Sequence, residues 1–391
     1  MRIPLSAPDV NEEDIKAVSD VLRTSRLSLG PKLEEFEHAI AAYVGASDAV
    51  AINSGTSALH LCLRALGVGE GDEVIIPSFA FIAVANAVRH ERAIPVFVDI
   101  ESDMLNLDPN RIESAITLRT KAIIVVHTFG CPANMEAILE IAGRHDLRVV
   151  EDACEAIGAE YNGRRVGAFG DAGIFSFYPN KQITTGEGGV VVTRNPEISQ
   201  FVRKVRNQGR DNPESWFQHS ELGYNYRISD INCALGSEQL KRIEPILMRR
   251  EAIARQYSHI LGRRSDFKLP LLNTPFGRIS WFVYVIRLGA EFTQLDRDWI
   301  LREMHLRGIG VGRYFAPIHL QPIYKHRATL GTLQVTEEIA PRTIALPFFN
   351  RIQSDQIEEV CSTLTELSDF ASNMEKKNVN RHKLRTQSTG G

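Results

Sequence analysis

No stretch of this chain stays apolar over the roughly 20 residues that a bilayer-spanning helix needs. Its first residues, Met1-Arg2-Ile3-Pro4-Leu5-Ser6, lack the apolar segment of a secretion signal. Neither sign of charge predominates: 45 Lys and Arg stand against 48 Asp and Glu, a net of -3. No global attraction to nucleic acid or to an anionic membrane is therefore expected, and any anion site must be local. Cysteine is sparse, odd in number and scattered, at Cys62, Cys131, Cys154, Cys233 and Cys361. That pattern implies no disulfide framework and favours reduced thiols in a cytoplasmic setting. There is no Cys-x-x-Cys, no His-Glu-x-x-His and no Gly-x-x-x-x-Gly-Lys, and the 11 histidines show no metal-ligand spacing, so no metal is expected.

What is present is enough for two cores: 391 residues, 43% of them hydrophobic. Short β-rich runs at 49–52, 74–76, 95–98, 122–126, 148–150, 173–176 and 190–193 alternate with helical patterns. Strand, helix and strand in repetition predict an α/β fold with a large, mostly parallel sheet sandwiched by helices. Sites in such sheets gather at the carboxyl ends of strands. The glycine-rich 67–71 follows a helix and precedes a strand, the reverse of a dinucleotide loop, and reads as a turn. Helical periodicity runs over 229–261, capped by Ser229 or Asp230 and separated or kinked near Pro245. A strand over 281–288 and helices over 296–307 and 354–370 predict a smaller C-terminal α+β domain. The expected division is a large domain over 1–240, a small one over 241–373, and a disordered basic tail over 374–391.

Lys181 lies between the aromatic run Phe175-Ser176-Phe177-Tyr178 and the glycine-rich Gly186-Glu187-Gly188-Gly189, and Asp152 ends an apolar strand. Together they suit pyridoxal 5'-phosphate (PLP), which needs a lysine amine to join its aldehyde and a carboxylate to keep its pyridine nitrogen protonated. Alone, Lys181 would pass for a solvated surface charge, and Asp152 for the cap of a helix over 153–157. Glu155, one helical turn on, is either a contact to the cofactor's phenolic oxygen or an exposed helix residue. Gly55, Thr56 and Ser57 follow a strand and open a helix, where free backbone amides and hydroxyls either hold a phosphate or simply cap. Ser176 offers one more hydroxyl. Phe81 is a candidate to stack on the pyridine ring, or a core residue.

In this order the segments Gly30-Pro31, Ser54-Gly55-Thr56-Ser57-Ala58-Leu59, Gly71-Asp72-Glu73-Val74-Ile75-Ile76-Pro77-Ser78, Glu151-Asp152-Ala153, the Lys181 run and Gly223-Tyr224-Asn225-Tyr226-Arg227 resemble the DegT-type sugar aminotransferases, a branch of the fold-type I PLP enzymes. The likeness spans 3–367. It implies Lys181 as the cofactor-linked lysine, Asp152 as partner of the pyridine nitrogen, Phe81 as the stacking ring, and Gly55, Thr56 and Ser176 around the phosphate. It further implies that Asn225 reaches the phosphate of a neighbouring subunit's cofactor, giving a homodimer with shared active sites. Tyr314 and His319 resemble a segment near the substrate opening. Glu155 departs from the Gln or His of many relatives, and an ionised carboxylate there would repel a phenolate. The implied activity moves an amino group from L-glutamate to a nucleotide-linked keto-sugar, at C4 of a 4-keto-6-deoxyhexose. The alternatives are a keto-cyclitol acceptor, or a regulator that binds PLP or a nucleotide sugar without turnover.

Overall fold

The computed structural model of the chain describes residues 1–211, 218–325 and 332–387. All seven expected runs become strands of one sheet: β1 Asp48–Ile52, β2 Glu73–Pro77, β3 Ile94–Val98, β4 Thr120–Val126, β5 Arg148–Asp152, and, after a small antiparallel ribbon of β6 Glu160–Tyr161 and β7 Arg164–Arg165, β8 Ala172–Ser176 and β9 Gly189–Thr193. Their spatial order is β1-β9-β8-β5-β4-β2-β3. The run from β8 to β3 is parallel, and only β9 opposes both its neighbours.

Alternation within each strand feeds two layers of helices. Ala49, Ala51, Ile123, Val125, Val190 and Val192 face one way, onto Leu33, Phe36 and Ile40 of the Pro31–Val44 helix. Val50, Ile52, Ile124 and Val191 face the other, onto Leu59 of the Gly55–Ala65 helix, Val88 of the Ala83–His90 helix and Val202 of the Pro196–Arg206 helix. The sheet is thus buried on both sides, with its carboxyl-terminal edge left to carry polar groups.

The helical stretch over 229–261 divides into Asp230–Lys241 and Ile243–Leu261. Ser229 caps the first by accepting from the Asn232 N–H at 3.2 Å. Pro245 sits in the first turn of the second, where its missing N–H has no intrahelical partner to lose. A second, three-stranded antiparallel sheet follows, of β10 Phe267–Lys268, β11 Tyr284–Leu288 and β12 Thr343–Leu346. The strand expected over 281–288 begins only at Tyr284. The carbonyls of Trp281 and Phe282 are instead taken by the Arg250 guanidinium at 2.6 and 2.8 Å, which holds this stretch as a loop. Tyr257, Tyr284, Ile300, Met304 and Leu364 build a separate core here. Ile3 joins that core and pairs with Ile309, so the chain begins in the second domain before it enters the first. The Ser354–Gln387 helix continues through most of the segment read as a tail, which holds neither glycine nor proline from Met374 to Gln387; residues 388–391 lie outside the described ones.

Candidate active site

Asp152 ends β5 at the edge where the parallel strands point, and its side chain is buried. No helix follows it. Residues 153–158 form successive turns, closed by Ala156 N–H to the Ala153 carbonyl and Ala159 N–H to the Ala156 carbonyl, both 2.9 Å. Asp152 Oδ1 accepts the Cys154 N–H at 3.1 Å, an Asx turn rather than a helix cap. Glu155 is accordingly not an exposed helix residue: only 7% of it is accessible. Its Oε2 accepts the Phe129 N–H at 2.9 Å, and its backbone carbonyl accepts the Gln182 amide at 2.7 Å.

Lys181 sits on the loop between β8 and β9. That loop is fastened at its base by Phe177 N–H to the Gly188 carbonyl and Thr185 N–H to the Phe177 carbonyl, both 3.0 Å. A closed loop on two neighbouring strands gives the lysine a fixed origin. The amine is not a solvated surface charge: its side chain is 13% exposed, and Nζ lies 3.7 Å from Glu155 Oε1. It also stands 3.9 Å from the centroid of the Phe282 ring, within cation–π range. Burial pushes the Glu155 carboxyl up, against the pull of Lys181 and the Phe129 N–H.

Across the sheet edge, Ser54 caps the Gly55–Ala65 helix by accepting the Ser57 N–H at 3.1 Å, and the Ser57 hydroxyl accepts from Ser54 Oγ at 2.9 Å. A side chain at Gly55 would place its Cβ 2.8 Å from Ser176 Cβ and 3.0 Å from Cys154 Sγ. The helix start, Ser176 at the end of β8 and the turn after Asp152 therefore come together at an approach so close that only glycine fits. Free amides at a helix start suit a phosphate; Asp152 suits a pyridine nitrogen, and Lys181 an aldehyde. The residues present fit PLP. Burial and the Asp152 charge raise the Cys154 thiol well above its ordinary range, so it stays neutral between them.

The Phe81 ring is 61% exposed, on the loop after β2, and is not core. Asn225 is likewise exposed, in a bridge with Asn207. Tyr314 stacks on Phe282 at 6.3 Å and 14°, and on Phe129 at 6.3 Å and 26°, which brings it to the wall of the lysine pocket. Burial and the nearby Glu155 raise its phenol. His319 is buried elsewhere: its Nδ1 lies 2.6 Å from Ser78 Oγ and its ring against Phe97, the packing role. Its Nε2 faces Glu337 at 3.3 Å, and burial lowers its pKa.

Sequence reasoning missed Phe282, whose ring lies over the amine, Phe129, whose N–H holds Glu155, and the role of Glu151. Fully buried, Glu151 accepts backbone N–H groups of Gly167, Phe169 and Gly170 at 2.7, 2.6 and 2.8 Å and lies 3.1 Å from His127 Nε2. His127 Nδ1 accepts the Ala133 N–H at 3.1 Å, so Nε2 carries the proton toward Glu151. An acidic residue set between the buried Val149-Val150 pair and Asp152 was the available signal.

The sequence profile of the DegT/DnrJ/EryC1/StrS aminotransferase family matches residues 8–365. GDP-perosamine synthase of Caulobacter vibrioides is 39% identical over 368 residues, covering 94% of this chain and 98% of that protein. The spore coat polysaccharide biosynthesis protein SpsC of Bacillus subtilis is 36% identical over 381 residues, with 93% and 97% covered. Among solved structures, Helicobacter pylori PseC, an aminotransferase involved in the biosynthesis of pseudoaminic acid, superposes with a TM-score of 0.89 at 29% identity, covering 94% of this chain and 99% of that one.

Proposed function

Because the chain belongs to the DegT/DnrJ/EryC1/StrS aminotransferase family, we propose that it transfers an amino group from L-glutamate to a nucleotide-linked keto-sugar, at C4 of a 4-keto-6-deoxyhexose. PLP-dependent aminotransferase chemistry comes with the family. The sugar acceptor is supported by relatives named for perosamine and pseudoaminic acid, and the nucleotide by the GDP in one of those names. The observation that carries the reading is the buried Lys181 amine on its fastened loop, sharing one sheet edge with Asp152 and the close approach of Gly55 to Ser176.

Bound PLP supplies an aldehyde that takes up an amine and a protonated ring that accepts the electron pair left when a carbon proton is removed. Asp152 keeps the ring nitrogen protonated through a charge-assisted hydrogen bond. Lys181, when its amine is free, would take up and return the proton of the substrate carbon. The backbone amides opening the Gly55–Ala65 helix hold the phosphate, with Thr56 and Ser176 adding hydroxyls. The exposed Phe81 ring would stack against the bound pyridine. Phe129, Phe282 and Tyr314 keep water from the amine. Glutamate leaves as 2-oxoglutarate in one half-reaction, and the sugar takes the amino group in the other. Asn225 contributes across a homodimer interface, and the protein acts in the cytoplasm on small molecules.

The test is to mix the protein with PLP, L-glutamate and a panel of nucleotide-linked keto-sugars and to follow 2-oxoglutarate. Lys181→Ala is expected to lose turnover by at least about a thousandfold, and with it the visible absorbance that borohydride fixes to the wild-type chain. Turnover and fixed absorbance both surviving in that variant would reject the lysine assignment.

A further inference from the structure

Glu155 has no part in the scheme above, yet it is the carboxyl nearest the amine. It is buried, takes one hydrogen bond at Oε2 from the Phe129 N–H at 2.9 Å, and turns Oε1 to Lys181 Nζ at 3.7 Å, within ion-pair range. The other titratable groups around the pair are Asp152, the Cys154 thiol and the Tyr314 phenol. The Phe282 ring lies 3.9 Å from the amine. A contact to the cofactor's phenolic oxygen would set two negative charges together, whereas the lysine offers a positive one.

We propose that Glu155 is the counterion and proton acceptor of Lys181 whenever that amine is not bonded to the cofactor. In the step assigned to it, an N–H bond at Nζ breaks and an O–H bond forms at Oε1. The electron pair stays on nitrogen, and the net charge of the pair remains zero. A neutral amine is thus made inside the pocket without sending a proton to water. The elevated proton affinity that burial gives Glu155 suits this exchange. The inference rests on Lys181 being the cofactor lysine, and its tests are read on cofactor-free protein so that the two ideas fail separately.

Lys181 is acylated with brief pulses of acetic anhydride across a pH series, and its peptide is quantified by mass spectrometry. In Glu155→Gln the amide oxygen still accepts from Phe129, so a purely structural role leaves the profile unmoved. Loss of the counter-charge instead shifts the labelling midpoint of Lys181 to lower pH by about one unit or more. Superimposable profiles overturn the proposal. The reciprocal measurement uses Lys181→Met: the infrared band of a protonated carboxyl survives to higher pH than in the wild type, and it disappears in Lys181→Met/Glu155→Gln. A band with unchanged pH dependence overturns it equally. Failure of the 2-oxoglutarate assay in the wild type would sink the parent reading while leaving both measurements interpretable.

Discussion

Gly55 shows how much a single hydrogen atom decides in this site. A methyl group there meets Ser176 Cβ at 2.8 Å and Ser176 Oγ at 3.1 Å, inside the distances that side chains tolerate. Gly55→Ala is expected to weaken PLP retention by about tenfold or more, the equivalent of a modest overpacking cost. A fluorescence titration of the variant with PLP, compared with the wild type, checks this; equal affinities would show that the helix start at Gly55 is not the phosphate site. Lys181 and Asp152 were readable because each stands beside a marked feature, a glycine-rich turn or the end of a β-branched run. Phe282 was not, since it reaches Lys181 from about a hundred positions downstream with no spacing rule to announce it. Glu155 was readable as a residue but not as a conformation. The turn it occupies depends on Gln182 holding its carbonyl, a contact invisible in the 153–157 pattern.

Among elements, the strands were legible because Val and Ile runs bounded by polar residues have few other uses in a doubly covered sheet. The opposed direction of β9 was not, for β-branched residues carry no sense of polarity along the chain. The buried Glu151 is what sets the 167–170 turn against β5, and so the level at which Asp152 emerges. Burial alone would push that carboxyl up, but His127 and the Gly170 and Gly167 N–H groups outweigh it and hold it below the ordinary range. A carboxylate lowered in the folded state contributes stability above its unfolded value, about pH 4.3, and loses it as pH falls through the lower folded value. Glu151→Gln is expected to cost about 3 kcal/mol near neutrality. The difference from wild type narrows as pH drops below about 4. Urea midpoints over a pH series measure both; a pH-independent difference would deny the ionised anchor.

At the scale of the molecule, the small antiparallel sheet carries a core of its own, and the return of Ile3 to it was beyond any local pattern, because it is fixed by a partner at Ile309. The proposed sharing of sites across a homodimer also belongs here. Asn225 is exposed on its own chain, as a residue destined for another subunit's cofactor would be. If so, Lys181→Ala and Asn225→Ala subunits, each inactive alone, should recover about a quarter of wild-type activity when randomly mixed, since half the dimers carry one intact site of two. An absence of recovery in mixtures shown by native mass spectrometry to contain hybrid dimers would argue for self-contained sites.

Arg250 ties these scales together. Its guanidinium is sealed away from solvent with Trp281 O, Phe282 O and Asn350 Oδ1 as its partners, at 2.6, 2.8 and 3.0 Å, and burial brings its pKa down to about 10. One of those carbonyls, that of Phe282, belongs to the residue whose ring roofs Lys181. The Ile243–Leu261 helix therefore anchors the very peptide that sets a ring above the Lys181 amine.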